Sequence, residues 1–171
     1  MKKIFLLLTT VIGTLAFTSC TNNDDRVDND TISEVFEVDN VNFTATGNFR
    51  VTVPLNPSIY SSDVILLYRL SGSTSNGKDI WEPVPTSYTF NAGTANEENL
   101  KYFFDFSQDD ITIYLEADFD PLTRQDFSLN QVFRVAIVPG YFSQTVNTND
   151  FDAVMSAISA QNGSDVQIEK R

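Results

Sequence analysis

Beyond residue 32, apolar and polar positions alternate along most of the chain, the two-residue period of strands that bury one face and wet the other. Residues 32–38 (ISEVFEV) and 41–45 (VNFTA) are two such runs, parted by Asp39-Asn40, which reads as a turn. Phe49, Val51, Val53 and Leu55 alternate with Asn48, Arg50, Thr52 and Pro54, and the proline assigns that end to a sheet edge or a strand terminus. Residues 64–70 (VILLYRL) are apolar on both sides up to Arg69, which predicts a central strand covered on both faces. Residues 71–78 (SGSTSNGK) predict a loop. The segment around Trp81 reads as an edge strand or extended loop.

The second half continues in the same style. Leu100, Tyr102, Phe104 and Phe106 make one stripe and Ile111, Ile113, Leu115 and Ala117 another, with Asp109-Asp110 between them, so a hairpin joins the two strands. Residues 131–139 (QVFRVAIVP) predict a further apolar strand, stopped by Pro139-Gly140. One segment has a helical period: Asn149 or Asp150 can cap it, and Phe151, Val154, Met155 and Ile158 recur on one face before Gly163. The expected fold is all-β, an antiparallel β-sandwich, Ig-like or related, with one short C-terminal helix.

The opening of the chain follows a different rule. Lys2 and Lys3 precede an apolar run over residues 4–17, and Thr18-Ser19 lead to Cys20, the only cysteine. Basic start, apolar run and a cysteine after small residues form the pattern of a bacterial lipoprotein leader over residues 1–19, with Cys20 as the acylated residue. The run is shorter than the roughly 20 residues a membrane span needs. A plain secretory leader ends in an Ala-x-Ala-like site, which Phe17-Thr18-Ser19 is not; the common lipobox carries Leu where this chain has Phe17. Residues 20–31 are polar and acidic and read as the lipidated cysteine with a flexible tether, leaving 32–171 as a single sandwich domain. Asn22-Asn23-Asp24-Asp25 resembles the acidic tract of lipoproteins exported to the cell surface, so the expected location is the outer membrane, facing outward. Asp30-Thr31-Ile32 resembles a bacterial O-glycosylation motif, against the plainer reading of a tether meeting a strand.

Composition narrows the functions. The 171 residues carry a net charge of −12, which becomes −14 once Lys2 and Lys3 leave with the leader. Such a surface repels nucleic acid, so no nucleic-acid partner is expected. With no histidine in the chain, Ser-His-Asp and Cys-His pairs and histidine metal sites are excluded. Chemistry is left to carboxylates, hydroxyls, tyrosines, Lys78 and Lys101. A non-catalytic role without cofactors is therefore expected.

Several stretches together carry a resemblance: residues 35–38 (VFEV), 53–57 (VPLNP), 63–70 (DVILLYRL), 80–85 (IWEPVP) and 130–140 (NQVFRVAIVPG). They are similar to a family of uncharacterised flavobacterial (Bacteroidetes-type) membrane lipoproteins, some with a collagen-like stretch after the cysteine, where this chain has Asn and Asp. The resemblance implies location and architecture, and Cys20 is the one functional residue it transfers.

Candidate sites have plain rivals. Asp118, Asp120 and Asp126, near Asp105, Asp109 and Asp110, could ligate Ca²⁺ in an adhesin, or be solvated loop carboxylates. Asp118 and Asp120 could also form a glycoside hydrolase pair, but neighbours two apart on a strand lie only roughly 7 Å apart. Trp81, with Tyr60, Tyr88 and Tyr141 near turns, could form a platform for a glycan or protein, or Trp81 could close the sandwich rim. Arg69 and Arg134, inside apolar strands, are expected to pair with acids at the sheet rim.

Overall fold

Two antiparallel sheets stack face to face in the computed structural model, which describes residues 33–171. The leader, Cys20, the tether, Thr31 and Ile32 lie outside the described residues. In chain order the strands are β1 (Glu34–Val41), β2 (Arg50–Pro54), β3 (Asp63–Ser73), β4 (Asp79–Pro83), β5 (Thr86–Phe90), β6 (Glu98–Phe106) and β7 (Asp110–Ala117). A one-turn helix α1 (Gln125–Ser128), strand β8 (Gln131–Pro139), helix α2 (Phe151–Asn162) and the two-residue β9 (Glu169–Lys170) follow. The first sheet runs β4-β3-β8-β1-β9 and the second β2-β7-β6-β5; every pairing is antiparallel except the last, β1 with β9.

The β-sandwich with a short C-terminal helix is as the residue pattern predicts, and the apolar runs show why. β3 and β8 are the inner strands of the first sheet and bury both faces. Their inward side chains, Ile65, Leu67, Phe133, Val135 and Ile137, meet Leu100, Tyr102, Ile111, Ile113 and Leu115 of the second sheet. Their outward ones, Tyr68, Ala136 and Val138, form a second core with Val154 and Ile158 of α2. The helix itself starts where Asp150 accepts from the Ala153 N–H at 3.1 Å and stops at Gly163, whose φ of 68° is a left-handed conformation that glycine adopts without a Cβ clash. Gly140 is required for a different reason: a Cβ there would stand 2.6 Å from the Ser62 carbonyl oxygen, so Pro139-Gly140 ends β8 against the loop that enters β3.

Two local expectations are corrected. Asp39-Asn40 does not reverse the chain; it is a bulge inside β1, with Asn40 at φ 54° and a register shift between Val38 and Val41. The extra residue lets both Phe36 and Val41 reach the same inner core. The run expected over 41–45 ends as a strand at Val41, because the Phe43 N–H donates to the Ser128 carbonyl at 2.7 Å instead of to a neighbouring strand. The expected loop over 71–78 shortens to Thr74–Lys78, since a shift between Leu70 and Gly72 lets β3 continue to Ser73.

The Tyr68 hydroxyl lies under α2 and donates to the Thr148 carbonyl at 2.8 Å. Burial first, then the Asp150 charge, pushes its pKa from 10.0 up to about 12. A phenol that ionises less readily when folded supports the fold fully below pH 10 and loses that support as pH rises through 12. Urea midpoints are therefore expected to fall across this interval, less steeply in Tyr68→Phe; equal slopes would contradict the assignment.

Candidate functional site: the open face of the second sheet

The residues singled out from the sequence do not converge. Trp81, on β4, is half-buried on the outward side of the first sheet, with its ring stacked on Phe151 (centroids 5.6 Å, 26°) and the Arg134 guanidinium 4.0 Å from its centre. Tyr88, on β5, points into the inter-sheet core against Tyr102 and Phe127. The first sheet thus separates the two rings. Tyr60 sits in the loop before β3, its N–H donating to Asp63 Oδ2 at 2.9 Å, and Tyr141 is exposed beyond Gly140.

The carboxylates are likewise dispersed. Asp118 is exposed at the end of β7, and Asn99 donates to it twice, from its N–H at 2.8 Å and from Nδ2 at 3.0 Å. Those two hydrogen bonds hold its pKa below the ordinary 3.8. Asp120 caps the short 3-10 turn that follows by accepting from the Leu122 N–H at 3.0 Å. Asp126 lies in the first turn of α1. Among the described residues no group of three or more acidic, histidine or cysteine side chains is arranged to hold a metal ion.

Both arginines face acids as expected, Arg134 with Glu37 and Arg69 with Glu82, but both are buried within the sheets and not at the rim, which corrects that part of the expectation. Arg134 lies within β8, directly across from Glu37 on β1, and the pair is nearly enclosed. One row of side chains crosses all five strands of the first sheet here: Lys170, Glu37, Arg134, Tyr68 and Pro83. Arg69 faces the inter-sheet core and is 5% exposed. Its Nε and Nη2 donate to Gln131 Oε1 at 2.9 and 2.7 Å, Nη1 donates to the Tyr88 hydroxyl at 3.0 Å, and the nearest carboxylate, Glu82, is 3.9 Å away. Rings of Tyr102, Phe127 and Tyr88 stand 4.9, 5.2 and 5.5 Å from the guanidinium carbon. Gln131 Nε2 in turn donates to the Asp126 and Leu129 carbonyls at 3.0 and 2.7 Å, so this cation ties the 118–130 crossover to the core.

What remains accessible is the outward face of the second sheet. No helix among the described residues packs on it, and Arg50, Thr52, Ser87, Thr89, Lys101 and Glu116 are exposed along it. Its centre is a row across three strands, Arg50, Tyr114 and Phe103, in register. The two rings are stacked 4.8 Å apart at 6°, and the Arg50 guanidinium lies 5.5 Å from the Tyr114 ring. The Tyr114 hydroxyl donates to Asp105 Oδ2 at 2.9 Å, and Lys101 pairs with Glu116 at 2.7 Å. The Asp105 hydrogen bond raises the Tyr114 pKa. An open groove of about 480 Å³ runs along the end of this face, lined by Ser87, Asn99, Lys101, Glu116 and Asp118 among others.

Sequence reasoning passed over Phe103 and Tyr114 because they fall on the polar parity of a hairpin whose buried stripe is obvious. The signal was available: pairing Phe106 with Ile111 puts 103 opposite 114, and two rings opposite each other on an outward face stabilise a sheet and offer ring edges to solvent. Chemically the face presents hydroxyls, an amide, carboxylates and one ammonium, arranged for hydrogen bonding. No helix among the described residues is long and apolar enough to cross a membrane. No protein-family model, characterised protein or solved structure matches the chain.

Proposed function

We propose that the protein is a lipid-anchored envelope lipoprotein, held at the outer membrane through Cys20 and facing outward, whose sandwich is a non-catalytic module binding a protein or a glycan through the open face of its second sheet. The leader pattern and the likeness to flavobacterial membrane lipoproteins support the location. The observation that carries the binding reading is the uncovered row of Arg50, Tyr114 and Phe103 beside the groove, on a fold whose other broad outward face is already filled by α2.

Geometry supports the orientation this requires. β1 begins at Ser33's end of the sandwich, level with the start of β3 and the end of β8, whereas the groove lies at the opposite end, where β6 begins and β7 ends. A tether attached at residue 33 leaves the groove pointing away from the anchor. A hydrolase or calcium adhesin has less support, because Asp118 and Asp120 are each engaged by neighbouring N–H groups.

A photo-crosslinker placed at Glu116 on intact cells is expected to capture a defined partner, and one at Asp152, exposed on α2, is not. Phe103→Ala with Tyr114→Ala should abolish that capture while leaving the unfolding free energy within about 1 kcal/mol of the parent. Equal capture from both positions would remove the open face from consideration, and an unmodified thiol at Cys20 in the native protein would remove the anchor.

A further inference from the structure

The first sheet ends at the two-residue β9, which leaves most of the eight-residue β1 behind it as an edge, whereas the strands at the other three edges, β2, β4 and β5, have five residues each. Long edges present unpaired N–H and carbonyl groups that other strands add to, and β2 and β4 are further blunted by ending on Pro54 and Pro83. β1 has no proline, and what covers it is two residues of β9, in parallel. The Arg171 N–H donates to the Glu37 carbonyl at 2.8 Å, and the Asp39 N–H donates to the Arg171 carbonyl at 3.4 Å.

The remaining hold is electrostatic. Lys170 Nζ lies 3.6 Å from both Glu37 Oε2 and Asp39 Oδ2, yet its side chain is 70% exposed. The Arg171 guanidinium sits 4.0 Å over the Phe36 ring. The lead from Gly163 to β9 is exposed apart from Val166, which touches the α2 core. The acids Glu37 and Asp39 on this edge are therefore met by one cation, Lys170, while Arg171 pairs with Glu169 of its own segment at 3.2 Å, and solvent weakens the ion pairs that secure this short cover.

We infer that the outer edge of β1 is a strand-accepting site for an extended segment of a partner protein that places a Lys or Arg opposite Glu37 and Asp39, and that residues 164–171 occupy it as a displaceable cover. The partner class follows from charge complementarity: Glu37 and Asp39, two apart on the strand, call for a Lys or Arg that reaches both, as Lys170 now does at 3.6 Å, with a second cation able to lie over the Phe36 ring as Arg171 does. The inference rests on the reading of the domain as a binding module but uses a different surface from the open sheet face.

The test uses a labelled octapeptide of residues 164–171, followed by fluorescence polarisation against the full chain, the full chain carrying Lys170→Glu and Arg171→Glu, and a chain ending at Gly163. Because the intact chain holds its own cover at high effective concentration, both altered chains are expected to bind the peptide about 10-fold or more tightly than the parent, with binding that weakens as salt rises. A peptide with both basic residues reversed should not bind. Equal affinity for the parent and the charge-reversed chain would overturn the inference, whether or not the shortened chain folds. So would a concentration-dependent dimer of the altered chains that ignores the peptide, which would assign the edge to a second copy. Neither result touches the crosslinking outcome at Glu116, so the two proposals fail separately.

Discussion

Glu37→Ala is expected to lower folding stability by about 3–5 kcal/mol, measured as the difference in urea unfolding free energy. The side chains of Glu37 and Arg134 are only 10% and 11% exposed. Removing the acid leaves the guanidinium beside the Trp81 and Phe151 rings, 4.0 and 5.1 Å away, without its counter-charge. Lys170 cannot compensate, being a cation itself. The reciprocal change, Arg134→Ala, should cost a similar amount, since Glu37 would keep only the exposed Lys170 at 3.6 Å. The distinguishing result is the double variant Glu37→Leu with Arg134→Met. Replacing both charges with apolar groups is expected to recover most of the loss, because an enclosed ion pair contributes little beyond the desolvation it offsets. A double variant as unstable as either single one would show that packing of the two stems, not charge balance, sets the cost.

Arg69→Ala is the second large effect, expected at about 2–4 kcal/mol. The substitution removes both donors to Gln131 Oε1 and the donor to the Tyr88 hydroxyl, and it opens space among three rings. Gln131 also anchors the 118–130 crossover, so the loss should spread there. Hydrogen exchange is expected to rise at residues 125–130 before it rises in β1, and tryptophan fluorescence from Trp81, on the far side of the first sheet, should move little. Arg69→Lys should not rescue, because one ammonium cannot bridge Gln131 and Tyr88 in the planar fork that Arg69 makes. Full rescue by lysine would mean that a charge alone suffices at this position.

Both effects fall on residues that sequence reading assigned to the rim, and the reason is instructive. An arginine within an apolar strand is costly to enclose without partners, so pairing at an edge is the default expectation. Here the partners come from segments distant in sequence: Glu37 across 97 residues for Arg134, Gln131 across 62 for Arg69. The aromatic rings that complete each box arrive from α2 and α1. None of these distances is readable from local pattern. The same holds for Trp81 and Tyr88, seven positions apart in the chain yet on opposite sides of the first sheet.

Much else was legible. The hairpin of β6 and β7, the strand from Gln131 to Pro139, the two-sided burial of β3, and the helix from its Asp150 cap to Gly163 follow from periodicity and from residues whose backbone preferences are strong. Asp39-Asn40 departs from the expected turn because asparagine at positive φ serves a bulge as well as a turn, and only the pairing partner, β8, selects between them.

The chain's own order of residues thus determines its all-β class, where most strands lie, the capped helix and the absence of histidine chemistry, because these depend on period, composition and local backbone preference. Which arginines become enclosed, which aromatic pair stays on an open face and which edge is covered by the two-residue β9 were decided only when distant segments met. Those outcomes depend on register and sheet order, and neither is encoded within any single stretch.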